Sequence, residues 1–210
     1  MRIPSAILRL ARTATALIAI AAIVIQAMTL VDAGRLDLVN FLSFFTIQSN
    51  LIAIAALLIL AARTPGPRPR WLEWLRGAAT VYLTITFFVV ILLLQGIDVG
   101  LQLAWVDFVL HKLTPIVIVA DWLLDPPTVR LTRRDALGWL IYPLVWLGYT
   151  MVRGALVDWY PYPFLNPANG GDAQVAVTSL VILAAGTVVC LFFAWLGNRV
   201  GGNADAQPAA

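Results

Sequence analysis

The chain has 210 residues, of which 61% are hydrophobic and 12% charged, against roughly 45–50% apolar and about 25% charged in soluble domains. A membrane crossing takes about 20 apolar residues per helix, which leaves room for six or seven spans and excludes a separate soluble domain of nucleotide-binding, barrel or zinc-finger type. The formal charge of +3 comes from 14 basic and 11 acidic residues, and in short loops between spans it reports topology rather than a nucleic-acid partner.

Six helices are predicted, at residues 11–32, 38–62, 76–95, 102–124, 135–153 and 173–197. They form one all-α, six-helix transmembrane bundle over residues 1–200, with 201–210 as a disordered tail. The apolar run of the first, from Thr13, follows Arg2, Arg9 and Arg12, and Val31, Asp32 and Ala33 resemble a cleavage site. Its apolar run exceeds the roughly 7 to 15 residues of a signal-peptide core, so it reads as a retained helix. In the second, Thr46 and Asn50 are four residues apart and share a face, with Gln48 and Ser49 between them. The proline-rich connector at 64–70 cannot be helical.

The fourth helix alone carries ionisable residues within its span: Asp107, His111, Lys112 and Asp121. Such residues are functional hypotheses by default, because burying them in a membrane is costly. Asp107 and His111 share a face, and Pro115, which has no N–H, frees the His111 carbonyl and invites a kink beside the ring. Beyond the fifth helix, Arg153 leads into a loop where Trp159, Tyr160, Tyr162 and Phe164 interleave with Pro161 and Pro163. That loop reads as a semi-rigid flap over the outer end of the bundle, or as a plain interfacial anchor. Asp98 and Asp158 read as loop charges, and Asp172 as the N-cap of the sixth helix.

Orientation follows from the basic residues. Arg2, Arg9, Arg12, Arg63, Arg68, Arg70, Arg76, Arg130, Arg133, Arg134 and Arg199 fall on one side, and only Arg35 and Arg153 on the other. The positive-inside rule then makes both termini cytoplasmic, which requires an even number of spans. Counted from the outer boundary, His111 lies about 12 Å deep and Thr46 about 8 Å deep, so the two can meet. A threonine hydroxyl needs a base to become a nucleophile, a buried neutral histidine can be that base, and Asp107 can fix its tautomer. Asn50, Gln48 or Arg153 are candidates to stabilise an oxyanion. These residue types suffice for acyl transfer on a lipid ester that approaches sideways from the outer leaflet.

The plainer readings are common ones. Membrane threonines and histidines often only bridge helices, and Lys112 suits snorkelling or a carboxylate partner. Asp121, about 15 Å from His111 along the helix, suits a cytoplasmic-side arginine. A rival function is a noncatalytic lipid-binding or transport protein in which His111, Lys112 and Asp107 form a polar site or proton relay; a third is a purely structural role.

Three segments taken together resemble a known family: FFTIQSNL at 44–51, LHKLTP at 110–115 followed by ADWLL at 120–124, and Arg153 and Gly154 followed by YPYPFL at 160–165. They resemble the bacterial branch of the androgen-induced-gene family, six-helix membrane proteins related to eukaryotic transmembrane threonine hydrolases. The resemblance covers nearly the whole chain in helix number and order. It implies a multi-pass protein of the bacterial plasma membrane and hydrolysis of fatty acid esters of hydroxy fatty acids, with Thr46 as nucleophile, His111 as its partner and Asn50 as the amide that follows the threonine. It transfers no role to Asp121, Arg153 or the Tyr-Pro residues. The expected partners are membrane lipids and a lipid ester substrate. No cofactor or metal is expected: Cys190 is the only cysteine, and no nucleotide, flavin or haem motif occurs.

Overall fold

A computed structural model describes residues 4–94, 96 and 103–201, which are helical with short turns and no strand among them. Arg2, Asp98, the first residue of the fourth predicted helix and the tail beyond Gly201 lie outside the described residues.

Helix α1 (Ser5–Asp32) starts directly after Pro4 and ends in a Schellman turn, with Gly34 at φ 64° and the Arg35 N–H donating to the Leu30 carbonyl at 2.8 Å. Ala16, Ala19 and Ala22 form a fully buried stripe. Side chains this small let α1 lie close against Ile47, Ile54 and Leu57 of α3 (Phe45–Ala62).

Where one continuous helix is expected at 38–62, two are found. Helix α2 (Leu38–Ser43) is capped by Asp37, which accepts the Asn40 N–H at 2.9 Å, and it stops at Phe44, whose backbone is extended at ψ 126°. The groups freed by the break find other partners. Gln48 Nε2 donates to the Leu42 carbonyl at 2.7 Å, and Trp146 Nε1 donates to the Ser43 carbonyl at 2.9 Å. The Phe44 ring meets Trp159 and Tyr162 edge-on, 5.7 Å from each. Distant donors and rings, not a local proline or glycine, set the interruption.

Helix α4 (Arg70–Leu93) begins six residues before the predicted start, since Leu72 and Glu73 bury their side chains in the bundle. In place of a single fourth helix, α5 (Ala104–Phe108) passes through a π-helical turn (Val109–Leu113) into α6 (Thr114–Leu124). Pro115 cannot donate, and both the N–H and the hydroxyl of Thr114 turn to the Val109 carbonyl, the hydroxyl at 2.9 Å. The wider turn absorbs the missing bond, and π-turns of this kind concentrate at functional sites. The fifth predicted helix is likewise jogged, into α7 (Arg133–Gly138) and α8 (Ile141–Val157). Trp139, in the jog, is fully buried and lies so close to Gly77 that a Cβ there would sit 2.1 Å from its ring. Helix α9 (Gly171–Gly201) follows two 3-10 turns, Pro163–Leu165 and Pro167–Asn169, and holds Asp172 in its first turn rather than at its cap.

Five helical units, α1, α3, α4, α7 with α8, and α9, are long and apolar enough to cross a membrane. Leu17 and Met28 on α1, Val145, Val152 and Leu156 on α8, and Leu180, Val181 and Val188 on α9 are each more than half exposed. Exposed apolar side chains in this number suit lipid, not water.

At one end of the bundle a buried ion network ties α1, α4 and α6 together. Asp121 receives Arg12 Nε at 2.6 Å and Arg76 Nε at 3.0 Å, while Arg76 Nη2 caps the Asp121 and Asp125 carbonyls at 2.6 and 2.5 Å. Arg68 bridges Glu73 and Asp125, both at 2.7 Å. Burial works against the Asp125 carboxylate, but hydrogen bonds from Arg12 and Arg68 hold it below the usual carboxylate range. Asp121 therefore does have its arginine partner, and two of them.

Candidate active site

The interruption at Phe44 makes Thr46 the second residue of α3. Its amide has no carbonyl to bond within the helix, and the amide end of a helix carries partial positive charge. Thr46 Oγ1 lies 3.1 Å from His111 Nε2. His111 stands on the π-turn and is 3% exposed, against 6% for Thr46. On its far side the ring donates from Nδ1 to Asp107 Oδ1 at 2.8 Å, and Lys112 Nζ lies 3.5 Å from the other carboxylate oxygen. A carboxylate only accepts, so Nδ1 carries the ring proton and Nε2 is left free to accept the Thr46 hydroxyl proton.

The remaining supporting residues take other places. Asn50 Nδ2 donates to the carbonyls of Thr46 at 2.9 Å and Leu110 at 3.1 Å, strapping α3 to the π-turn. It positions the pair and offers no donor to the threonine oxygen. Arg153 Nη2 binds Asn40 Oδ1 at 2.7 Å and its guanidinium covers the Trp159 ring, so it secures α2 and the loop, away from the Thr46 hydroxyl. Gln48 is engaged by Leu42 and by the Tyr142 hydroxyl.

The donor at the threonine is Tyr162, singled out by sequence reasoning only as part of an aromatic loop. Its hydroxyl lies 3.2 Å from Thr46 Oγ1 and accepts the Thr46 N–H at 3.2 Å. Burial pushes this phenol above its usual range, while the Thr46 N–H bonded to it pulls the other way. It thus stays protonated and able to donate. Phe164, stacked at 5.4 Å, and Trp146, at 6.0 Å, hold the ring. A signal for it exists in the sequence: a tyrosine between two prolines has a restricted backbone and a directed side chain.

Thr46 and Tyr162 line two cavities at once. One, of about 420 Å³, has a mixed lining, in which His111, Gln26, Arg35, Asp37, Asn40 and Asn166 stand among apolar side chains such as Phe41, Ile47 and Leu110. The other, of about 100 Å³, is almost wholly apolar and lies among α4, α8 and α9, against Ile85, Val89, Leu144, Leu147, Leu183 and Gly186. No cluster of three His, Cys, Asp or Glu side chains suited to a metal occurs among the described residues. Comparison with family models, curated proteins and solved structures gives no match to the chain.

Proposed function

We propose that this protein is a membrane-embedded lipid ester hydrolase or acyl-transfer enzyme, multi-pass in a bacterial plasma membrane, with the androgen-induced-gene family as its kin. The observation that carries the reading is the chain of contacts from Thr46 through His111 to Asp107, beside a cavity of mixed lining and an apolar one that share Thr46 and Tyr162. The apolar cavity suits a fatty acyl chain, and the one that carries polar groups suits the rest of the ester and the water that follows.

In this reading the Thr46 oxygen attacks the ester carbonyl carbon while His111 Nε2 takes the hydroxyl proton, and Asp107 stabilises the resulting imidazolium. The Tyr162 hydroxyl and the amide end of α3 receive the oxyanion. Collapse breaks the bond to the leaving oxygen, which takes the proton back from His111, and leaves an acyl-threonine. Water, deprotonated by the same imidazole, then releases the acid and restores the hydroxyl; a lipid alcohol in its place gives transfer.

Topology enters the proposal too. Helices α5 and α6 with the π-turn between them run about 30 Å, enough for a sixth crossing despite their charges. Six crossings, with the arginine-rich end inward, make both termini cytoplasmic.

The test is covalent labelling of the full-length protein in detergent by a fluorophosphonate probe. Wild type takes up the probe on Thr46, and Thr46→Ala and His111→Ala lose it without loss of fold. Undiminished labelling of Thr46→Ala ends the proposal. A folded wild type that forms no adduct but retains a bound lipid favours the noncatalytic reading, for which the Lys112–Asp107 pair beside His111 is the supporting feature.

A further inference from the structure

The end of the bundle away from Thr46 holds another cavity, of about 300 Å³, independent of the reading above. Its wall includes Arg9 and Arg12 of α1, Arg63 just after α3, Arg68 and Asp125. We propose that it binds a phosphate-type oxyanion.

The charges favour this. Together with Glu73, Arg76 and Asp121, to which the wall residues are bonded, the cluster has five guanidiniums (Arg9, Arg12, Arg63, Arg68, Arg76) against three carboxylates. Among the described residues two positive charges have no counter-charge. The structure also shows which two. Arg12 and Arg68 spend their donors on Asp121, Asp125 and Glu73, and Arg76 spends its own on Asp121, Glu73 and nearby carbonyls. Arg9 gives one Nη2 bond, to the Arg63 carbonyl at 2.6 Å, and pairs with no carboxylate among the described residues. The Arg63 guanidinium makes no hydrogen bond or ion pair among the described residues.

The Arg63 guanidinium, exposed on this wall and without a counter-charge, is the group free to take an anion from the hollow. The guanidinium fork matches the oxygens of a phosphate through paired N–H bonds. Ser5, at the start of α1, sets the positive end of that helix dipole on the same wall. The volume, on the order of ten water molecules at about 30 Å³ each, admits a phosphodiester with its substituents. Topology explains why arginines gather at this end, but it does not explain why four of them line one hollow with the Arg63 guanidinium left unpaired.

The phosphate can be that of a lipid headgroup or a free anion, and the experiment separates them. Melting temperature of the full chain in a neutral detergent is titrated with phosphatidylglycerol, with inorganic phosphate, and with chloride at matched ionic strength. Stabilisation of several degrees beyond chloride is expected. With the lipid alone it assigns a headgroup site, with phosphate alone a free-anion site, and with both a site for the phosphate group itself. Arg9→Gln/Arg63→Gln is expected to weaken the response at least tenfold. Arg63→Gln alone, which breaks no described bond, guards against misfolding and is expected to weaken it in part. No response beyond chloride, or an equal response in the double variant, overturns the proposal.

Discussion

Tyr162→Phe separates the proposed chemistry from the fold. The substitution removes one oxygen and keeps the ring, so the stack on Phe164, the edge contact with Phe44 and the contact with Trp146 remain. What goes is the donor 3.2 Å from Thr46 Oγ1 and the acceptor for the Thr46 N–H. The structural cost is that of one buried amide left without a partner, about 1–3 kcal/mol. The catalytic cost is larger, because a donor to the oxyanion acts only as charge develops; losing one lowers kcat by about a hundred- to a thousandfold. The assay is the initial rate of probe labelling and of hydrolysis of a medium-chain ester in detergent, with a thermal melt alongside. A fall of two to three decades, beside a modest drop in melting temperature, is expected. Labelling at the wild-type rate in a folded variant refutes the role assigned to Tyr162, and with it the oxyanion site.

Three further outcomes follow from other contacts. Gly154→Ala puts a Cβ 2.1 Å from the Tyr160 ring; the loop that carries Tyr162 must shift, so labelling falls and stability drops by about 1–3 kcal/mol from overpacking. Asp121→Ala leaves the Arg12 and Arg76 guanidiniums buried side by side without their shared carboxylate, a loss of about 3–5 kcal/mol readable as a lower melting temperature. The Asp125 carboxylate is held below its ordinary value of about 3.9. Its contribution is therefore complete above about pH 4 and lost as pH falls through the lower folded value, and the acid-side fall in melting temperature is expected to be shallower in Asp125→Asn than in wild type.

How far these features can be read in advance depends on where their cause lies. The apolar runs are a local property, so long helices are legible from composition, as is the depth match that puts Thr46 and His111 within reach. The Pro115 disturbance is legible as well, since a missing N–H is written in the residue itself, although its resolution as a π-turn depends on Thr114 turning its hydroxyl to the Val109 carbonyl. Glu73 and the early start of α4 escape a sequence reading because the prolines immediately before them suggest a loop, whereas Arg68, Arg76 and Thr128 converge on that carboxylate and hold the first turn in place. The partners of Asn50 and Arg153 escape a sequence reading for one reason: both carry donors, but which acceptors claim them, the Thr46 and Leu110 carbonyls in one case and Asn40 in the other, is set by distant packing.

The break at Phe44 is the feature on which the proposed chemistry most depends, and no residue near it announces a break. In a continuous helix the Thr46 N–H would be bonded to the Leu42 carbonyl. Here each half of that lost bond has found a separate partner, Gln48 for the carbonyl and Tyr162 for the amide. The exchange costs little in hydrogen bonds, yet it moves Thr46 from the interior of a helix, where its amide would be inert, to the positive end of one. It also fixes the Tyr162 hydroxyl beside the threonine oxygen, because the group that satisfies the amide is the group that can donate to a developing oxyanion. The interruption and the electrostatics of the site are thus one arrangement, built from a residue of the second predicted helix and a loop more than a hundred positions later, and a sequence read one helix at a time has no way to join them.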